Sequence, residues 1–237
     1  MIRGLRAAAL VPLLGGCAYG VHESARTLAP GRVSGAGAVS FVTNANTGAR
    51  GGVGWSNFGI DLGMARVGVA RRLDVGVGFL YGLGGRADVK LSPLPEAWRF
   101  AVALRLGGGG AAVTENVAMV YFGGIASYDF AFGLTPYLGC TFANHWIYGM
   151  YQAAPPPGQT LAARAGYGDG LLENAFGIRI FVDRKAGVPL STSLEYALWV
   201  PLQDDPGDGF SFAVSHVASI GFCAGCPSAE SAAATPR

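Results

Sequence analysis

Serine and histidine side chains are the residues of this sequence that nucleophilic catalysis would use. Ser215 and His216 are adjacent, and His145 lies far from both along the chain. A histidine activates a serine hydroxyl only when the two side chains meet. Adjacent residues of a strand point to opposite faces, so Ser215 and His216 cannot form a dyad with each other. His145 has no acid or base partner that the sequence identifies, and we therefore expect no enzyme activity.

Cys223 and Cys226 form a C-x-x-C pair, which is a second candidate site. Such a pair can be a redox centre, half of a metal site or a local disulfide. A zinc site needs four ligands, but there is no second C-x-x-C and Cys140 falls within a predicted strand. In an oxidising compartment a local disulfide is the simplest interpretation. We expect no metal and no cofactor.

Charged residues form the third candidate site, because they alternate with apolar residues between Leu73 and Leu106. In 73–79, 86–91 and 98–106, apolar side chains occupy one parity and charged or very small ones occupy the other. Such alternation is typical of strands whose two faces meet different surroundings. We predict that one face of a sheet carries a network of acids and bases that pair across neighbouring strands: Asp61, Asp74, Arg86, Asp88, Lys90, Arg99, Arg105, Glu173, Arg179 and Glu195.

About ten strands, within a range of eight to twelve, are predicted to position these charges. Their ranges are 32–42, 58–70, 73–79, 86–91, 98–106, 117–128, 134–146, 172–182, 188–200 and 210–222. Long connections (43–57, 107–116, 147–170 and 201–209) follow odd strands, and short turns follow even ones. The turn at 83–85 is the exception. This segregation is typical of a membrane barrel with an even number of strands, and it predicts that both termini lie on the short-turn side.

The second predicted strand contains a break in its alternation. Its apolar residues at 58, 60, 62 and 64 share one face, with Asp61 opposite. After Arg66 the apolar parity changes, because Val67 and Val69 take over. We therefore predict a β-bulge near 65–66, with Met64 on the apolar face.

Alternation alone fits a membrane barrel or a soluble lipocalin-like barrel, since each is the inside-out version of the other. Only 14% of the residues are charged, and Lys90 and Lys185 are the only lysines. This share of charged residues is too low for a surface that faces water. Slipping the segment 86–91 by one residue would also turn its bases to lipid, at about 2–4 kcal/mol for each at the midplane. We predict an all-β, antiparallel up-and-down transmembrane β-barrel with the charges inside.

Tryptophans support a membrane barrel because aromatic side chains concentrate at membrane interfaces. All four fall near predicted strand ends: Trp55, Trp98, Trp146 and Trp199. Trp199 has the interior parity of its strand and is weaker support.

The N-terminal residues predict export. Arg3 and Arg6 precede an apolar run at 7–14 that is too short to span a bilayer as a helix. Leu14-Gly15-Gly16-Cys17 resembles a bacterial lipobox, which implies cleavage before Cys17 and a diacylglycerol on its thiol. The alternative is an ordinary secretory signal cut near 16–18. We predict a signal peptide at 1–16, a lipid-anchored polar leader at 17–31 that approaches the first strand, a barrel at 32–222 and a periplasmic tail at 223–237.

These features together resemble those of small Gram-negative outer-membrane β-barrel proteins. The last strand, 210–222, is similar to the β-signal that the insertion machinery recognises, although fifteen residues follow Phe222. The resemblance implies contact with outer-membrane lipid and with that machinery, and in this family Ala18 after the cysteine fits passage to the outer membrane. It implies no substrate, because such barrels include adhesins, pores, enzymes and anchors.

The expected function follows from the width of the lumen. A barrel of about ten strands is only slightly wider than the eight-stranded kind that side chains fill. We predict a mostly filled lumen and a structural or surface-interaction role, with a narrow transport pore and a lipid-modifying enzyme as alternatives. The segment 147–170, rich in proline and tyrosine, is where a partner is expected. A net charge of +2 without a basic-aromatic patch argues against nucleic-acid binding.

Overall fold

Ten antiparallel strands close into a barrel, which confirms the predicted fold class. The computed structural model describes residues 22–44, 56–80, 84–112, 115–149, 167–183, 189–202 and 215–227. The strands are β1 (Val33–Asn44), β2 (Ser56–Ala70), β3 (Leu73–Leu80), β4 (Gly84–Leu91), β5 (Phe100–Ala112), β6 (Glu115–Tyr128), β7 (Leu134–Gly149), β8 (Tyr167–Asp183), β9 (Leu190–Pro201) and β10 (Ser215–Ala224). Each strand pairs with its neighbour in sequence, and β1 pairs with β10 to close the barrel.

The predicted loop at 107–116 is wrong, because β5 continues to Ala112 and β6 begins at Glu115. The glycines that suggested a loop have a packing role instead. A Cβ at Gly107 would lie 2.5 Å from the Tyr121 ring, and one at Gly109 would lie 2.9 Å from the Cα of Arg86. β7 and β8 are also longer than predicted, because β7 continues to Gly149 and β8 begins at Tyr167. The longer stretches between strands at this end, 45–55, 150–166 and 203–214, lie outside the described part of the chain.

A β-bulge is present in the β1–β2 ladder, but it precedes the predicted position. The register shifts between Ala36 and Ala38 of β1, opposite 61–64 of β2. Met64 and Arg66 are consequently in phase and buried, whereas Val67 is exposed. The expectation that Met64 shares the lipid-facing side is wrong, because the extra residue is inserted before it. The Asp61 side chain lies outside the described set.

The two faces of the barrel differ in the way expected for a transmembrane barrel. Large apolar side chains cover the outside, and examples that are between 50% and 66% exposed are Leu104, Leu106, Phe122, Leu138 and Phe176. The interior contains the buried charges together with mostly small apolar residues such as Ala103 and Ala197. No helix in the described part of the chain is long and apolar enough to cross a bilayer.

An unexpected element fills the centre of the barrel. Residues 22–29, part of the leader predicted to approach β1, run inside the lumen, and His22 to Leu28 are all buried. We call this segment the plug. It leaves the lumen at Gly31, whose backbone N donates to the Gly68 carbonyl at 2.8 Å and whose φ of +76° favours glycine. Gly68 allows this close approach, since a Cβ there would overlap the Ala29 carbonyl.

Candidate functional site in the plugged lumen

Arg66 of β2 is the centre of the charge network in the lumen. Its guanidinium lies 2.5 Å from Asp74 Oδ1, 2.6 Å from Asp88 Oδ1 and 3.1 Å from Glu23 Oε1. These carboxylates come from β3, β4 and the plug, so one side chain links three elements. Arginine can do this because its planar guanidinium presents five donors in a fixed geometry.

Lys90 and Arg105 extend the network on both sides of Arg66. Lys90 Nζ lies 2.9 Å from Glu23 Oε2 and 3.7 Å from Asp74 Oδ2. Arg105 donates to Asp88 Oδ2 at 2.9 Å. The Tyr121 hydroxyl donates to the same oxygen at 3.0 Å. The Asp88 carboxylate therefore accepts hydrogen bonds from three side chains, those of Arg66, Arg105 and Tyr121.

The described part of the lumen contains equal numbers of acids and bases. Six buried acids and six buried bases are present: Glu23, Asp74, Asp88, Asp129, Glu173, Glu195, and Arg26, Arg66, Arg86, Lys90, Arg105, Arg179. Removing a charge from water costs several kcal/mol unless a partner compensates it. A neutral interior is therefore what a filled, water-poor lumen requires. The plug supplies one member of each sign, Glu23 and Arg26.

The second half of the plug binds the rim of the barrel. Arg26 forms an ion pair with Asp129, and it donates to the carbonyl oxygens of Glu96, at 2.8 Å, and Trp98. Leu28 N donates to Asp74 Oδ2 at 3.1 Å. The plug is thus attached to the wall at two places, through Glu23 at β2 and β4 and through Arg26 at the turns before β5 and β7.

His22 lies among serine and glutamate side chains, a combination that calls for comparison with a catalytic triad. Its Nδ1 is 3.2 Å from Ser193 Oγ and its Nε2 is 3.0 Å from Ser219 Oγ. Glu195 is 4.0 Å from Nε2, which is beyond hydrogen-bond distance, and its other oxygen accepts from the His22 backbone N at 2.7 Å. A triad needs an acid bonded to the histidine that activates the serine. This buried group instead anchors the start of the plug.

Glu23 is held in its ionised form. Burial opposes ionisation of this carboxyl, but the charges of Arg66, Lys90 and Arg105 outweigh it and lower its pKa well below the usual value. Glu23 therefore presents a negative charge to Arg66 and Lys90 at neutral pH.

Most of the predicted network residues lie in the lumen, and Arg99 does not. Eight of them are buried there: Asp74, Arg86, Asp88, Lys90, Arg105, Glu173, Arg179 and Glu195. The prediction for Arg99 is wrong, because β5 begins only at Phe100 and Arg99 is exposed in the preceding turn. Its parity matches Arg105, but at the rim a side chain of either parity reaches solvent.

Pairing across neighbouring strands describes only part of the network. Arg66 reaches Asp88 from β2 to β4, and Glu23 pairs with two strands without belonging to one. Sequence reasoning missed both residues. Arg66 was missed because the bulge was placed too late, and an earlier break would have revealed its inward parity. No strand pattern marks Glu23.

Of the cysteine and histidine candidates, Cys226 lines the same small cavity as Glu23 and Arg66, so the cysteine pair borders the lumen network. Cys223, near the end of β10, forms a disulfide with Cys226, which follows the strand, and Cys140 is exposed and outside any disulfide. No cluster of three or more metal-ligating side chains occurs among the described residues. His216 contacts the Tyr196 hydroxyl, whereas the side chains of His145 and Ser215 lie outside the described set.

Of the tryptophans predicted to lie near membrane interfaces, one is exposed and one is buried. Trp98 is 55% exposed at the short-turn end, where an interface girdle is expected, and Trp199 is buried in the lumen. The side chains of Trp55 and Trp146 are not among those described.

Comparisons with known proteins yield only distant likenesses. No family model matches the chain, and no curated protein matches it. Among solved structures, Neisserial surface protein A has a TM-score of 0.36 and 10% identity, covering 81% of this chain and 95% of that one. Ail, the attachment invasion locus protein of Yersinia pestis, has a TM-score of 0.31 and 11% identity, with coverage of 82% and 97%. The translocator domain of autotransporter NalP from Neisseria meningitidis has a TM-score of 0.42 and 10% identity, with coverage of 93% and 95%. We take no functional residue from these likenesses, and the fold assignment depends on the closed sheet itself.

Proposed function

We propose that this protein is an outer-membrane β-barrel whose lumen is closed by its own N-terminal plug and that it has a structural or surface-interaction role. The observation that carries this proposal is the combination of an apolar exterior with a filled, charge-neutral interior. The wall is wide enough to hold a chain segment, and that segment is the protein's own. A soluble barrel would need the opposite arrangement of its two faces.

The tight fit of the plug supports a closed rather than a conducting lumen. The cavity lined by Glu23, Ser24, Arg66 and Lys90 has a volume of about 10 Å³. This is close to the space of a single water molecule. A continuous hydrated path along this side of the plug is therefore not available while the plug is in place.

A lipid anchor on Cys17 fits this arrangement. Five residue steps separate Cys17 from His22, and an extended chain spans at most about 3.3–3.6 Å per step, roughly 17 Å here. Cys17 lies outside the described residues, and we propose that it carries an acyl group within this reach of His22. We propose that the short-turn end of the barrel is periplasmic and that both termini lie there. The connections at the other end, including 150–166, would then face outward and offer the surface for a partner.

We also propose that the protein is not an enzyme. The Ser193–His22–Glu195 group is buried where the plug meets the wall, and Glu195 Oε1 lies 4.0 Å from His22 Nε2. The His216 ring on β10 contacts the hydroxyl of the exposed Tyr196. The lipid-modifying alternative would require activity on outer-membrane lipid from the purified barrel, and we expect none.

An arginine introduced at mid-height on the outside tests the membrane location. Leu106 is in the middle of β5 and 66% exposed, whereas Val182 is 72% exposed and next to the last residue of β8. We expect L106R to lower the free energy of unfolding in phospholipid vesicles by about 2–4 kcal/mol and V182R by about 0–1 kcal/mol. Urea titration gives both values. In a soluble barrel both exposed substitutions would be nearly neutral, so two small and equal effects would contradict the proposal.

Conductance separates the closed barrel from the narrow-pore alternative. We expect the full-length mature protein to be silent in planar lipid bilayers, because the plug occupies the lumen and the cavity beside Glu23 has a volume of only about 10 Å³. A stable unitary current from the wild-type protein would favour the pore and contradict the closed lumen. Gel mobility with and without heating would verify that the reconstituted barrel is folded.

A further inference from the structure

The plug is attached to the wall mainly through side chains, which distinguishes it from a strand of the sheet. Between His22 and Leu28 its described contacts with the wall each involve a side chain of the plug or of the wall, such as Ser127, whose Oγ accepts from Ala25 N at 3.0 Å. Backbone pairing with the wall begins at Gly31, where the chain leaves the lumen. Each strand of the barrel, in contrast, is paired along most of its length with two neighbours. The plug can therefore leave without breaking the sheet.

The wall around Glu23 has the composition of an anion-binding site. The Glu23 carboxylate bridges Arg66, at 3.1 Å, and Lys90, at 2.9 Å, and both bases are at most 4% exposed. A planar guanidinium beside an ammonium group is the usual arrangement for binding a carboxylate. Arg105 is close enough to lower the pKa of Glu23 as well. Glu23 is thus bound as a ligand would be, while remaining tethered to the chain.

Glu23 balances the net positive charge of the wall groups around it. The wall groups of this cluster are three bases, Arg66, Lys90 and Arg105, and two acids, Asp74 and Asp88. With Glu23 the cluster is neutral, and without it one positive charge is left over. Arg86 is also buried, two residues before Asp88 on β4. A narrow lumen with low-dielectric walls concentrates the field of such an excess.

We propose that Arg66 and Lys90 form a carboxylate-binding site in the barrel wall and that Glu23 is its tethered ligand, so that removal of the Glu23 charge opens an anion-selective path. This inference rests on the proposed closed lumen. Small carboxylates in solution would then occupy the vacated site. The protein would combine a closed state, latched by Glu23, with an open state that prefers anions.

The primary test compares E23Q with E96Q in planar bilayers. Glu96 is an acid near the same end of the barrel. It is a matched control because it is partly exposed and its ion pair with the exposed Arg71 is long, at 3.8 Å. We expect E23Q to give discrete currents whose reversal potential in a KCl gradient indicates anion selectivity, and E96Q to stay silent. Succinate should reduce the E23Q current, and the uncharged analogue succinamide should not.

A double variant covers the case in which Arg26 alone retains the plug. E23Q/R26Q removes both charged contacts of the plug and leaves the strands unchanged. Release is measured independently through S24C in a C140S background, since Ser24 is 1% exposed. We expect labelling of this cysteine by a membrane-impermeant maleimide, located by mass spectrometry, to rise about tenfold or more, as expected when a desolvated ion pair is lost.

The outcomes distinguish the two proposals. Silence and protection of S24C in both variants, with folding verified by gel mobility, would overturn the inference and leave the closed lumen intact. Cation-selective currents, or currents insensitive to succinate, would also overturn it. A wild-type current equal to that of E23Q would overturn both proposals.

Discussion

Replacing Arg66 with alanine is expected to lower the free energy of unfolding by about 3–5 kcal/mol, as for other buried ion pairs that lose one partner. Arg66 contacts Asp74, Asp88 and Glu23, and its side chain is only 4% exposed. In R66A, three buried carboxylates would depend on Lys90 and Arg105 alone. The measurement is urea unfolding in phospholipid vesicles, followed by tryptophan fluorescence.

Arg71 provides the control for this experiment. It lies five residues further along the chain and pairs with Glu96 at 3.8 Å, but its side chain is 75% exposed. Solvent screens such a pair, and R71A is expected to change stability by less than about 1 kcal/mol. R66K should fall between the two, because lysine keeps the charge but cannot reach three carboxylates with fixed geometry. Equal effects of R66A and R71A would mean that the lumen is hydrated.

The second large effect is expected at Gly177 of β8. A Cβ at this position would overlap the ring of Tyr137, which is 1% exposed and donates to Glu195 Oε2 at 2.9 Å. G177A must displace the ring and break that bond. Overpacking costs about 1–3 kcal/mol and a hydrogen bond to a charged group about 1.5–3 kcal/mol, so we expect a loss of roughly 2.5–6 kcal/mol.

Two further variants identify the cause of the Gly177 effect. Gly124 of β6 is the matched glycine, because a Cβ there would have the Ala103 carbonyl as its nearest neighbour at an ordinary 3.8 Å. G124A is expected to be neutral or slightly stabilising, since glycine inside a strand costs about 0.5–1 kcal/mol relative to alanine. In a Y137A background, G177A should lose most of its effect, as contacting residues are not additive. Full additivity would show that the ring is not what Gly177 accommodates.

Strand positions were predictable because each strand contacts lipid on one side and a crowded interior on the other. This contrast repeats every two residues along the sequence. The neighbouring residues alone therefore predict that Asp74, Asp88 and Lys90 face the interior. The prediction from alternation failed where the pattern no longer marks the two faces or the bounds of a strand. At 107–110 four glycines removed the contrast, and at Arg99 the alternating pattern begins before the strand does.

The partners of the charges were not predictable from the same pattern. Alternation gives the face of a residue, but not the reach of a long side chain across a closed lumen, such as that of Arg66 from β2 to β4. The position of the bulge decides whether Met64 and Arg66 point inward, and a single inserted residue can sit at several places with almost the same pattern.

The sequence by itself therefore determined a closed antiparallel barrel with apolar residues outside and charges inside. That information is local, since it depends on the alternation within each strand and on the low charge content. Only the tertiary structure decided what fills the lumen. Glu23 and Arg26 lie outside every strand, and their binding sites are assembled from residues of β2, β4 and the 129–133 turn. Such a site exists only once the barrel has closed, because closure brings distant parts of the chain around one segment.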